Sequence, residues 1–172
     1  DAALVAPGGA PEDDLHVTLA YITAPMDNAT MQTLLGAITA LMLETSPVQA
    51  QVGSVARFTA SETSDGQDVV VALVDSADLE QVRQRTCVLL ETLGIPLSMA
   101  HGYTPHITLA YSAPGMFETM PVVPAGILTL DALTVKQGDV VLATVPLQGG
   151  QEVQMAKIAY TMEVPITKID LV

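Results

Sequence analysis

The chain has 172 residues, 49% of them hydrophobic and 15% charged, which is ample apolar material for one packed domain, expected as two similar lobes, and too much for a disordered segment. Nineteen acidic against six basic residues give a formal charge of −13, so long RNA or DNA is repelled at range, while a small phosphodiester held by a few donors in a cleft is not excluded. No apolar run is long enough to span a membrane as a helix, and the single cysteine, Cys87, rules out an internal disulfide.

In chain order, Pro7 to Pro11 followed by Glu12-Asp13-Asp14 reads as a loop leading into a first strand, LHVTLAY, residues 15–21. Strict alternation puts His16, Thr18 and Ala20 on one face and Val17, Leu19 and Tyr21 on the other. Asp27 or Asn28 then caps a helix through MQTLLGAITALMLE, which ends before Ser46-Pro47. Val48 to Thr59 and Asp68 to Val74 read as two strands joined across SETSDGQ, with Asp65-Gly66 as the turn signal. Ser76 or Asp78 caps a second helix, LEQVRQRTCVLLETL, in which Cys87 is expected to be buried and which Gly94 and Pro96 close. After a loop carrying His101 and Tyr103 comes PHITLAY, residues 105–111, whose alternation sets His106, Thr108 and Ala110 against Ile107, Leu109 and Tyr111. Gly126 to Val135 and Val140 to Val145 are expected to form a hairpin across Lys136 to Asp139. Residues 151–172 read as a strand-like extension of a 1–150 domain, in two pieces separated by Pro165, suited to completing a sheet edge or pairing with another chain. The start at Asp1 and the stop at Val172 suggest a processed product or a piece of a longer polypeptide.

The two TLAY strands are an internal repeat, and each carries a histidine and a threonine on one face. A lone His-x-Thr says little, whereas two copies in one frame supply what phosphodiester cleavage needs. One imidazole can take a proton from the attacking oxygen while the other gives one to the leaving oxygen, because its unperturbed pKa lies near neutrality. Two threonine hydroxyls can donate to the non-bridging phosphate oxygens, on which charge grows in the transition state. Metal chemistry fits less well: there is no HExxH and no CxxC, and of the clustered carboxylates that a metal pair wants beside its histidines the sequence offers Asp13 and Asp14 at His16. A nucleophilic-serine elbow and a P-loop are both absent from the sequence.

LHVTLAY and GYTPHITLAY resemble the paired His-x-Thr motifs of the two-histidine phosphoesterase superfamily, which includes the bacterial 2′,5′ RNA ligase-like proteins; the resemblance spans Leu15 to Leu147. GSVARFTASETSDGQDVVVALVDS resembles the strand pair between the motifs, with Phe58 where an aromatic is often found. PGGAPEDDLHVTLAY and HGYTPHITLAY are similar to members from actinobacterial phages, some of them joined to head proteins. The resemblance implies a pseudo-symmetric, two-lobed α+β fold, with two antiparallel sheets flanking a central groove and helices outside. It also implies cofactor-free, metal-independent cleavage of 2′,3′-cyclic phosphates, 2′-5′ linkages or cyclic oligonucleotides, with His16, Thr18, His106 and Thr108 as the catalytic set.

One departure stands out: some relatives place an arginine just after the second motif, where this chain has Tyr111, with Tyr21 at the matching place in the first. The substrate-binding candidates are Tyr21, Tyr111, Phe58, Tyr103 and Arg57, the last being the cation beside Phe58. A different class of function is a virion or head-assembly module that keeps the fold and binds a phage head protein or a flanking domain. The matching locations are a bacterial host's cytoplasm or a phage particle. An RNA-binding or RNA-ligating module is opposed by the negative charge and the lack of a basic, aromatic-rich face.

Overall fold

The computed structural model describes residues 10–12, 14–98, 102–116, 124–138, 140–148, 154–155 and 167–172. The chain forms two compact units: Asp1–Val17, Ala50–Asp75 and Thr104–Leu128 make the first, and Thr18–Gln49, Ser76–Tyr103 and Thr129–Val172 the second.

The first unit is built around β4 (Asp68–Asp75), whose Val69, Val70, Val71 and Ala72 are all buried, as suits a central strand covered on both faces. On one side β4 pairs antiparallel with β3 (Val48–Phe58), and on the other with β5 (His106–Ser112). Beyond β5 lie the two-residue β1 (Ala10–Pro11) and the start of β2 (Val17–Ile22), while β6 (Gly126–Leu130) lies beside β3. The β3–β4 connection is a short 3-10 turn at Glu62–Ser64 followed by Asp65 and Gly66. Both residues have positive φ, +50° and +73°, a conformation that Asp tolerates and Gly adopts freely, so the Asp-Gly signal marks the turn it predicts.

The second unit packs α1 (Asn28–Leu43) and α2 (Ala77–Thr92) with the remaining strands. Asp27 caps α1 by accepting from Thr30 N–H, and Ser76 caps α2 by accepting from Leu79 N–H, both as expected. Met31, Leu34, Leu35, Ile38 and Met42 recur at helical spacing to form the buried stripe of α1, so these methionines are core. Its strands run in the order β2, β10 (Thr167–Leu171), β7 (Ala132–Gln137), β8 (Val140–Pro146), β9 (Gln154–Met155). The helices and antiparallel strands make the fold α+β. β2 starts in the first unit and ends in the second.

Three elements depart from expectation. The strand expected over Gly126 to Val135 is broken at Asp131, where the N–H donates to Val172 O and the carbonyl accepts from Leu147 N–H, so that 126–130 and 132–137 join different neighbours. The C-terminal strand is interior rather than an edge: β10 pairs antiparallel with β7, and Ile169, Asp170 and Leu171 are buried. Asp170 lies 3.8 Å from the ammonium of Lys136, an ion pair that keeps the carboxylate charge from standing alone in the core. Cys87 is half-buried rather than buried. His101, Asp13 and, of the C-terminal extension, the first strand-like piece at residues 157–164 lie outside the described residues. Among the described residues, no helix is long and apolar enough to cross a membrane.

Candidate active site

Val17 of β2 is directly opposite Ile107 of β5, and both side chains are buried. Side chains alternate along a strand, so His16 and Thr18, which flank Val17, project from the opposite face. His106 and Thr108, which flank Ile107, do the same. Antiparallel register then sets His16 alongside Thr108 within the first unit, and Thr18 follows on the same face of β2 where the chain passes into the second. All four side chains are half-buried, neither sealed in the core nor freely solvated.

Beyond Thr108 the alternation fails, and the failure shapes the site. Thr108 pairs with Val71 but Ala110 pairs with Val70, so Leu109 is an extra residue, a β-bulge. The bulge turns Ala110 inward, fully buried, and brings Tyr111, opposite Val69, onto the face of His106 and Thr108. The first copy shows the same order of burial, with Ala20 buried and Tyr21 44% exposed. A second irregularity in β3, between Val52 and Val55, fixes Phe58 opposite Val69 and Arg57 opposite Val70. Phe58 therefore shares the face of His106, and Arg57 projects from the other.

The rings of Phe58 and His106 meet edge to face, with centroids 4.9 Å apart and planes at 81°. Each histidine is also held by the backbone behind it. His16 Nδ1 lies 2.6 Å from Asp14 O, and His106 Nδ1 lies 2.6 Å from Thr104 O. A carbonyl can only accept, so in both rings Nδ1 carries the proton and donates it, and in the neutral imidazole Nε2 carries the lone pair. His16 has a further neighbour in the Asp14 carboxylate, 3.7 Å from Nδ1. The doubled His-x-Thr pattern announces the imidazoles, but a bond to a carbonyl two residues upstream leaves no mark on side-chain identity. Sequence reasoning missed it.

Arg57 is not brought to the histidines. Its guanidinium lies 3.6 Å from the Asp68 carboxylate, whose side chain is 5% exposed. Asp68 accepts from Gly115 N–H at 2.8 Å and Ala60 N–H at 2.9 Å. These two amides, Gly115 first, hold the carboxyl below its ordinary value; burial opposes them, and Arg57 adds a smaller push in the same direction. Tyr103 is likewise engaged elsewhere, in the second unit, where the Arg83 guanidinium sits 4.0 Å from its ring centre. Burial raises the phenol to about 12, against the lowering effect of Arg83, so it stays protonated at neutral pH. Of the five aromatic and cationic candidates, Phe58 and Tyr111 share the histidine face, whereas Arg57 and Tyr103 have other partners and Tyr21 stands exposed in the second unit's part of β2. Among the described residues, no three His, Cys, Asp or Glu side chains converge as a metal site requires.

The family model of the 2′-5′ RNA ligase superfamily matches residues 3–120, more than half of the chain and both His-x-Thr strands. Among solved structures, TT0787 of Thermus thermophilus is similar in fold, with a TM-score of 0.56 and 19% sequence identity over 84% of this chain and 85% of that one. None of the curated proteins matches.

Proposed function

The chain belongs to the 2′-5′ RNA ligase superfamily of two-histidine phosphoesterases, and from that membership we propose that it cleaves small phosphodiesters without a metal, His16 and His106 exchanging the protons. The observation that carries the reading is the shared face: the Val17–Ile107 pairing turns both imidazoles to one side of the sheet, each with Nδ1 committed to a carbonyl. In the reaction, one Nε2 takes the proton of an attacking water or neighbouring hydroxyl as its oxygen bonds to phosphorus. The other Nε2, protonated, gives its proton to the leaving oxygen as the old P–O bond breaks. Thr108 and Thr18 donate hydrogen bonds to the non-bridging oxygens and stabilise the charge that develops there. Which histidine takes which role follows from the side on which the leaving group lies.

The substrates we propose are 2′,3′-cyclic mononucleotides, 2′-5′-linked oligonucleotides and cyclic oligonucleotides. Tyr111 serves as the ring on which a base stacks, standing where some relatives carry arginine. Arg57 is paired with Asp68 on the other face, so the phosphate is held by hydroxyls and a protonated imidazole rather than by a guanidinium. Phosphate binding is accordingly modest, and small substrates suit it better than polyanions. The test is turnover of that panel with excess EDTA, with products identified by mass. EDTA-resistant cleavage of at least one member is expected, and cleavage only with added metal would contradict the reading. Inactivity across the whole panel would favour the other expectation, an assembly role in a phage particle.

A further inference from the structure

We propose that Phe58 is a positioning residue for His106, holding the imidazole in its reactive orientation rather than binding substrate. The inference rests on the two-histidine reading above. Two contacts bear on the orientation of the His106 imidazole: Thr104 O, 2.6 Å from Nδ1, fixes the tautomer and the ring's tilt about one edge, and Phe58 meets the ring edge to face at 4.9 Å and 81°. The bond at Nδ1 does not by itself set the rotation about the N–H···O axis; a perpendicular aromatic neighbour opposes that rotation.

The contact is built by the sheet. Phe58 lies opposite Val69 and His106 opposite Leu73, so the phenyl ring reaches diagonally across β4 on the face that both residues share. The irregularity between Val52 and Val55 sets that face; without it, alternation would aim Phe58 the other way. A ring already packed against the imidazole is poorly placed to stack on a base, which leaves the stacking role to Tyr111 on the same face.

Three variants and two readouts test this. In Phe58→Leu, similar in bulk but without the ring, kcat is expected to fall by about 10-fold at unchanged KM, the size of an edge-to-face aromatic contact converted to a rate. Phe58→Tyr, which keeps the ring, should restore kcat, and Tyr111→Ala should raise KM instead. The second readout needs no substrate: the imidazole nitrogen NMR signals of His106 in the resting enzyme should report the Nδ1-protonated tautomer in the wild type and in Phe58→Tyr. Exchange broadening of those signals is expected in Phe58→Leu, as the ring swings about the Nδ1–H···O axis while Thr104 O keeps the tautomer, at a thermal midpoint that shows the variant folded. An unaltered His106 spectrum in Phe58→Leu, or an unaltered kcat, overturns the proposal, as does a rise in KM alone. If the wild type cleaves nothing, the proposed function fails separately, and the spectrum still decides whether Phe58 holds His106.

Discussion

Each histidine finds its hydrogen-bond partner in the carbonyl two residues before it, Asp14 O for His16 and Thr104 O for His106. That local geometry converts an ordinary imidazole into one with a fixed tautomer, because only Nδ1–H satisfies the carbonyl. Thr108 is set alongside His16 by register, and in the proposed function its hydroxyl donates to a phosphate oxygen. Thr108→Val keeps the β-branched shape and removes the donor, so kcat should drop by about 10- to 100-fold, somewhat less than the loss of a strong oxyanion donor, with little change in the thermal midpoint. Steady-state kinetics on the best panel substrate check this, and an unchanged kcat would remove the hydroxyl from the mechanism. At this scale repetition alone picks His16, Thr18, His106 and Thr108 out of the sequence as candidates, and register puts His16, His106 and Thr108 on one face. The sequence was silent about partners, since Arg57 looks like a site cation beside Phe58 until register sends the two to opposite faces.

At the scale of elements, hydrophobic period and punctuation predicted most of what is present. Asp27 and Ser76 cap the helices, Asp65-Gly66 turns β3 into β4, and Gly94, with φ +69°, follows α2. What escaped is set by long-range pairing. The Leu109 bulge, the break at Asp131 and the interior position of β10 each depend on a strand far away in sequence, which no local window contains. Asp68 is the clearest energetic element: one buried carboxylate ties the loop after β3 to the loop after β5 through Ala60 and Gly115. Its folded pKa lies below the ordinary 3.8, so its stabilisation is complete above that value and is lost as pH falls through the lowered one. Asp68→Asn should therefore unfold at lower temperature than the wild type at pH 7, with the deficit shrinking as the pH is taken below about 3.8. Thermal denaturation followed by circular dichroism at both pH values checks it, and an equal deficit at pH 7 and in acid would show that the carboxylate's charge contributes nothing.

For the whole molecule, charge bears on the proposed scale of substrate. A net −13 opposes long polyanions, and the first unit contains no Lys or Arg besides Arg57, which Asp68 already faces. Family membership supplies the class of chemistry, and the shared face of the two His-x-Thr strands supplies a means for it. Two groups acting in one proton relay should fail together, since removing either leaves the other with nothing to exchange against. The most direct measurement is single-turnover cleavage of the best panel substrate, in EDTA, by the wild type, His16→Ala, His106→Ala and the double variant. The account predicts that each single variant loses about 100-fold or more, the scale of general acid–base catalysis, and that the double variant is hardly slower than either. Cleavage that survives loss of either histidine, or losses that multiply independently in the double variant, would contradict it.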